Sequence, residues 1–289
     1  MAVAQEKQVV SSLEIYDITN GIRNTILKEE AHFEAPNWTM DGNFLIINQK
    51  GRLFKVAIGD KTKTLLETGS LQNCNNDHGI SFDGKWLAIS NNDQIGGSFS
   101  ESSRIYTLPI AGGTRPRLIT SERPSYWHGW SPDGKFLLYT AKRNSDYNIF
   151  RISIEGGEEE QLTYEEGLDD GPEYSPDGKS IYFNSMASGK MELWRMDKDG
   201  AHKEQLTNDT YSNWFPHPSP DGKYLVFISY IKDQGSEHPP MKSVALRLYD
   251  IKTKKIVTLC KFIGGQGTIN VPSWAPDGKK FAFVSYYEK

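Results

Sequence analysis

Six histidines, a set of carboxylates and several large aromatics are the residues of this 289-residue chain whose chemistry could do more than fill a core. Three of the histidines are placed alike: His78 and His128 stand five residues before an Asp-Gly pair, and His217 four before its own. Comparable segments carry Glu34, Asp77, Asp169, Asp170 and Glu173, with Asn75, Asn76, Asn213, Gln266 and Asn270 beside them. Tyr126, Trp127, Tyr211, Trp214 and Phe215 are interleaved. Imidazoles and carboxylates brought together can bind a divalent metal or serve as an acid and a base, and flat rings can stack on a sugar. The same side chains can equally line a narrow wet channel with their hydrogen bonds satisfied, or pack one structural unit against the next. What decides is whether the surrounding elements aim them at one place.

Those elements repeat. Asp-Gly pairs begin at Asp41, Asp83, Asp133, Asp177, Asp221 and Asp277, and four sit in a full Pro-Asp-Gly-Lys, at Pro132, Pro176, Pro220 and Pro276. Pro presets φ, Asp bonds backbone N–H groups further on, and Gly accepts the positive φ that closes a hairpin. Each copy therefore joins two antiparallel strands. β-rich runs follow, such as 135–140 and 180–185, then a polar loop, a third run such as 148–154 or 191–196, and a Gly-containing turn into a fourth. Spacings of 42, 50, 44, 44 and 56 residues between successive Asp positions, with four strands per unit, are those of propeller blades. The last unit stops after one hairpin, and the missing pair stands at the other terminus, as 13–18 and 23–28. The expectation is an all-β, six-bladed β-propeller of four antiparallel strands per blade, spanning residues 13–289 behind a tail of residues 1–12. Both termini build the last blade, which removes open sheet edges.

The repeat Trp/Tyr-Ser-Pro-Asp-Gly-Lys followed by Ile/Leu-Tyr-Phe resembles that of the TolB-like propeller family over nearly the whole chain. That resemblance implies the propeller, and it implies a ligand- or protein-binding module. Strand direction puts the links into each innermost strand, the expanded loops 91–102 and 231–244, and five of the six histidines on one face. The candidate binding residues of this channel mouth are Glu34, Asp77, His78, Tyr126, Trp127, His128, Asp170, Trp214, His217, Gln266 and Asn270. Phe215-Pro216-His217-Pro218-Ser219 is also similar to a stretch of the oligogalacturonate lyase propellers. That second resemblance implies a manganese site with His217 as ligand; His78 and His128 stand at equivalent repeat positions, where other blades hold Pro, and are further candidates for a divalent metal, manganese or calcium. Phe215 stands where that family has another histidine.

Composition narrows the partners. Net charge is −4 with no long run of one sign, so no nucleic acid is expected, because a phosphate backbone needs clustered cations. No apolar stretch approaches the roughly 20 residues that span a bilayer. Cys74 and Cys260 lie far apart and in no metal-ligand spacing, and are read as unpaired. Ala2-Val3-Ala4 resembles the end of an export signal without its apolar stretch; a trimmed signal would mean a periplasmic or extracytoplasmic protein, and otherwise a cytoplasmic one. Gly264-Gly265-Gln266-Gly267 lacks nucleotide-loop spacing and reads as a flexible link. No Gly-x-Ser-x-Gly marks a serine hydrolase. Two functions remain open: a module binding a small molecule, an oligosaccharide or a protein at the mouth, and a stand-alone metal-dependent carbohydrate-active enzyme, lyase- or hydrolase-like, with its site there.

Overall fold

The computed structural model describes residues 8–93 and 99–289. Five sheets of four antiparallel strands follow one another along the chain, beginning at Glu34, Cys74, Ser125, Asp169 and Ser212. The sixth sheet pairs Lys280–Glu288 with Val9–Asp17, which in turn pairs with Ile22–Glu29. Its innermost segment is irregular. It is attached by the Trp274–Phe281 bridge and by Ala275 N donating to Lys280 O at 2.8 Å. The six-bladed propeller closed by both termini is thus present. The N-terminal strand starts at Val9, so part of the segment expected to be a tail belongs to the sheet. Residues 2–4, read as the end of an export signal, lie outside the described residues, as do 94–98 of the first expanded loop.

Each turn works as its residues dictate, and five of the six, all but the one preceded by Ala275, share one addition. Ser131 Oγ donates to Asp133 Oδ1 at 2.6 Å, Lys135 N donates to the same oxygen at 3.1 Å, and Phe136 N donates to Ser131 Oγ at 2.9 Å. Ser81, Ser175 and Ser219 repeat this with Asp83, Asp177 and Asp221, and Thr39 does so with Asp41. The hydroxyl before the Pro position is therefore part of the turn. Gly134 supplies a φ of 71°, which a side chain would resist.

Tryptophans tie blade to blade near the axis. Trp130 Nε1 donates to Gly79 O at 2.9 Å, and Trp274 Nε1 donates to His217 O at the same distance. The buried Trp127 lies against Gly79, where an added Cβ would come within 2.0 Å of the indole. Cys74 is buried, Cys260 is partly buried, and both are free thiols. No helix among the described residues is long and apolar enough to cross a membrane.

Every one of the five regular inner strands carries a bulge: between Glu34 and Asn37, Cys74 and His78, Trp127 and Gly129, Asp170 and Glu173, and Trp214 and His217. A bulge re-aims the side chains beyond it. Three of them hold a residue in the left-handed region, Ala35 at φ 57°, Gly171 at 61° and Phe215 at 52°. For a residue as bulky as Phe215 that conformation is an outlier of the kind found where a site is held in place.

Candidate functional site

The bulged inner strands, together with the loops of the link-bearing face, enclose a cleft of about 920 Å³. Of the candidate binding residues, Asp77, Tyr126, His128, Asp170, Gln266 and Asn270 line it. At its base His128 Nε2 lies 3.0 Å from Asp170 Oδ1, both side chains almost wholly buried. His238, from the expanded loop of the fifth blade, approaches the other oxygen, Oδ2, at 3.8 Å. Phe215 supports both rings, stacked on His128 with centroids 6.0 Å apart and edge-on to His238 at 5.3 Å.

Burial and charge act against each other here. Burial opposes a charge on His128, yet the carboxylates of Asp170 and Asp77 hold the imidazole above its ordinary range. Burial would likewise raise Asp170, but His128, with lesser help from His238 and the Thr140 hydroxyl, brings it down to about 2. Burial pushes Asp77 up to about 7, relieved by His128 and reinforced by Asp170. Glu34, behind it, rises to about 8 through burial and the Asp77 charge. His238 is lowered by burial, against the pull of Asp170. The cleft therefore holds a His128–Asp170 pair in which each group favours the charged form of the other, beside a carboxyl, Asp77, that burial pushes up to about 7.

The remaining expected site residues lie elsewhere. Trp127 and Trp214 are buried in the walls, Trp214 behind the His238 ring at 4.8 Å. Glu34 is partly buried under the Gly267 turn and does not line the cleft. His78 is fully buried, 3.4 Å from Ile46 O, and burial takes it down to about 4. His217 has both ring nitrogens engaged, Nδ1 with Glu173 Oε2 and Nε2 with Ile269 O, each at 2.7 Å. His32 stacks on Tyr286, 5.2 Å away.

The three histidines expected as metal ligands thus have three separate environments. Among the described residues no group of three or more His, Cys, Asp or Glu is placed to hold a metal ion. The physical reason is the bulge, which turns His128 into the cleft while His217 beyond its own bulge points between blades. His78, His128 and His217 do not fit a manganese or calcium site.

His238, within the expanded loop 231–244, and Tyr147, Asp146 and Glu237, none of them among the candidates the sequence offers, also line the cleft. The available signal was their place in loops between second and third strands, on the same face as the links. Gly264–Gly267 is not a loose link: Gly267 N donates to Asn270 Oδ1 at 2.7 Å, and Gly265 packs so closely on Pro239 O that a Cβ would come within 2.1 Å. This turn locks the expanded loop down and sets Gln266 in the wall.

Comparison with known proteins agrees with this architecture. The family model described as the TolB beta propeller domain matches residues 97–238. The uncharacterized protein Atu1656 of Agrobacterium fabrum (strain C58) is 45% identical over 278 residues, 96% of this chain and 92% of that protein. A solved structure from Agrobacterium tumefaciens, described as a TolB candidate, superposes with a TM-score of 0.91 at 44% identity, covering 98% of this chain and 99% of that one. Oligogalacturonate lyase in complex with manganese reaches a TM-score of 0.55 at 15% identity, over 94% of this chain and 77% of the lyase, a likeness of fold alone. The bulged blades, the closure by both termini and these matches together make the chain a member of the TolB-like β-propeller family.

Proposed function

We propose that the protein is a ligand-binding module whose mouth cleft holds a small, hydroxyl-rich molecule of the mono- or disaccharide class. The observation that carries this reading is the lining itself. Amide side chains from separate links, Asn75, Asn76, Gln266 and Asn270, share one cleft with the Tyr126 and Tyr147 rings, whose centroids are 6.3 Å apart. Amides exchange hydrogen bonds with hydroxyls in both directions, and aromatic faces cover the apolar face of a sugar ring. A volume near 920 Å³ is that of a small-molecule pocket rather than of a protein–protein contact. Titration calorimetry with a panel of neutral mono- and disaccharides tests it. Saturable binding weakened about tenfold, some 1.4 kcal/mol, by Tyr147→Ala or Gln266→Ala supports the reading. No saturable binding across the panel removes it.

A second reading is favoured by one observation, the place of Asp77 in the cleft lining beside the His128–Asp170 pair, with burial pushing its carboxyl up. Such a pair suits a general acid and base acting on a glycosidic substrate without recourse to the histidine metal set. In that case Asp77→Asn abolishes turnover of the bound oligosaccharide and leaves its binding. Turnover that survives the substitution rules out this role.

A further inference from the structure

We infer that the ligand of the mouth cleft is cationic, and that the class it selects is an amino sugar: a hydroxylated ring bearing a protonated amine. The inference rests on the small-ligand reading above and adds the charge. Four carboxyl groups line the cleft, Asp77, Asp146, Asp170 and Glu237, and no Lys or Arg is among the described lining residues. Of these, Asp170 is matched by His128. Asp146 accepts a hydrogen bond from the neighbouring Ser145 Oγ at 2.7 Å, and neither it nor Glu237 has an ion-pair partner among the described residues. Glu101 adds a further negative charge beside Tyr147.

A carboxylate cluster alone would be a solvated rim. A second observation points to a ligand. Asn76 is only 5% exposed, lines the cleft, and its Nδ2 has no hydrogen-bond partner. A buried donor left unmade costs on the order of 1–3 kcal/mol, so this N–H calls for an oxygen brought by the occupant. An orphan donor deep in the wall and unpaired carboxylates towards the opening ask for both functions on one molecule. The oxygen goes inward and the ammonium outward. The aromatic lining is compatible with a cation: Lys142, outside the lining, already holds its ammonium 5.7 Å from the Tyr147 centroid. A uronate would instead bring its carboxylate among carboxylates, where the lining groups able to carry positive charge, His128 and His238, already face Asp170, at a cost that a confined cleft enlarges.

Three disaccharides of matched size separate the possibilities by calorimetry at pH 6.5: a glucosamine disaccharide, its N-acetylated form and digalacturonate. The expected result is that the amine form binds about tenfold more tightly than the neutral form, roughly 1.4 kcal/mol, and that digalacturonate gives no heat. In the Asp146→Asn, Glu237→Gln double variant the ratio of amine to neutral affinity falls to about threefold or less, with thermal melting showing that the variant is folded. A neutral form that binds as well as the amine, or a ratio untouched in the folded double variant, overturns the charge selection and leaves the small-ligand reading standing. Digalacturonate as the tightest binder does the same. If none of the three binds, the inference falls, and the panel of neutral mono- and disaccharides decides separately whether the reading beneath it stands.

Discussion

His128 and Asp170, carried by the inner strands of neighbouring blades, meet at 3.0 Å between Nε2 and Oδ1 beneath the mouth cleft. The contact is a seam between blades as well as the floor of a site. Removing one partner leaves the other buried and charged, which is more costly than never having built the pair. Asp170→Asn should therefore destabilise the protein by about 3 kcal/mol in urea titration at pH 5.5. The pH dependence has two limits. His128 is raised, so its contribution is complete below the ordinary imidazole range and fades as pH rises through its folded value. Asp170 is lowered to about 2, so its contribution is complete above the ordinary carboxylate range and fades as pH falls towards 2. The penalty should be largest between those limits and shrink as pH rises through the raised value of His128 or falls towards 2.

Glu34 gives the opposite sign. A carboxyl raised to about 8 favours the protonated folded state, so its effect is favourable at low pH and turns into a cost as pH climbs from its ordinary value through 8. Glu34→Gln, which keeps the shape and removes the charge, should leave stability at pH 5 nearly unchanged. At pH 9 it should raise stability by on the order of 2 kcal/mol, allowing for the partial exposure of the side chain. Paired thermal melts at the two pH values measure this.

The blades were legible in the sequence because a hairpin turn is local chemistry: Asp and Gly close it within a few residues, and six copies set the count. The site was legible only in part. Asp77, Tyr126, His128, Asp170, Gln266 and Asn270 were found because the links converge on one face. Trp127, Trp214, His78 and His217 stand in the same links, but a place in a link does not say which side of the strand a residue takes once the register shifts. Each inner strand shifts register once, and backbone geometry at Gly171 and Phe215, not residue type, sets the outcome. His238 reaches Asp170 from an insertion that no repeat constrains, so only its position in the folded loop reveals the contact.

His217 should behave as a staple between blades rather than as a ligand. Its two 2.7 Å contacts to Glu173 and Ile269 join the fourth blade to the last, and truncation leaves a buried carboxyl and a carbonyl without a donor. His217→Ala is expected to lower stability by about 2–3 kcal/mol. Metal content should not differ between the parent chain and the His78→Ala, His128→Ala and His217→Ala variants, measured by elemental analysis on folded protein. One ion per chain lost in at least two of these variants would restore the metal reading.

Gly79 tests the packing that sets the inner ring. Its missing Cβ leaves room for the Trp127 indole, which is fully buried. Gly79→Ala should cost about 2 kcal/mol or more, since overpacking there forces either the indole or the inner strand to shift. Because Gly79 also accepts the Trp130 Nε1 hydrogen bond, the same substitution should alter tryptophan fluorescence in the native baseline.

Closure of the ring by both termini makes a sharper demand. Val9–Asp17 lies between two partners, paired residue for residue with Lys280–Glu288 on one side and, with one bulge, with Ile22–Glu29 on the other. Glu14 fastens it further, accepting from Arg23 and Ser285. Deleting residues 1–17 would remove the centre of the sixth sheet, strand the outer strand and expose Lys280–Glu288 along its length. Its Phe281, Phe283 and Val284 sit in the core, so the exposed edge is both unpaired and apolar behind. The truncated chain should lose its cooperative melting transition and associate through that edge, read as concentration-dependent light scattering. Adding a peptide of residues 8–30 should restore monomeric, cooperative behaviour, because the strand pair it supplies is the one the ring lacks. A truncated chain that stays monomeric and melts within a few degrees of the parent would mean that inter-blade packing alone holds the propeller closed.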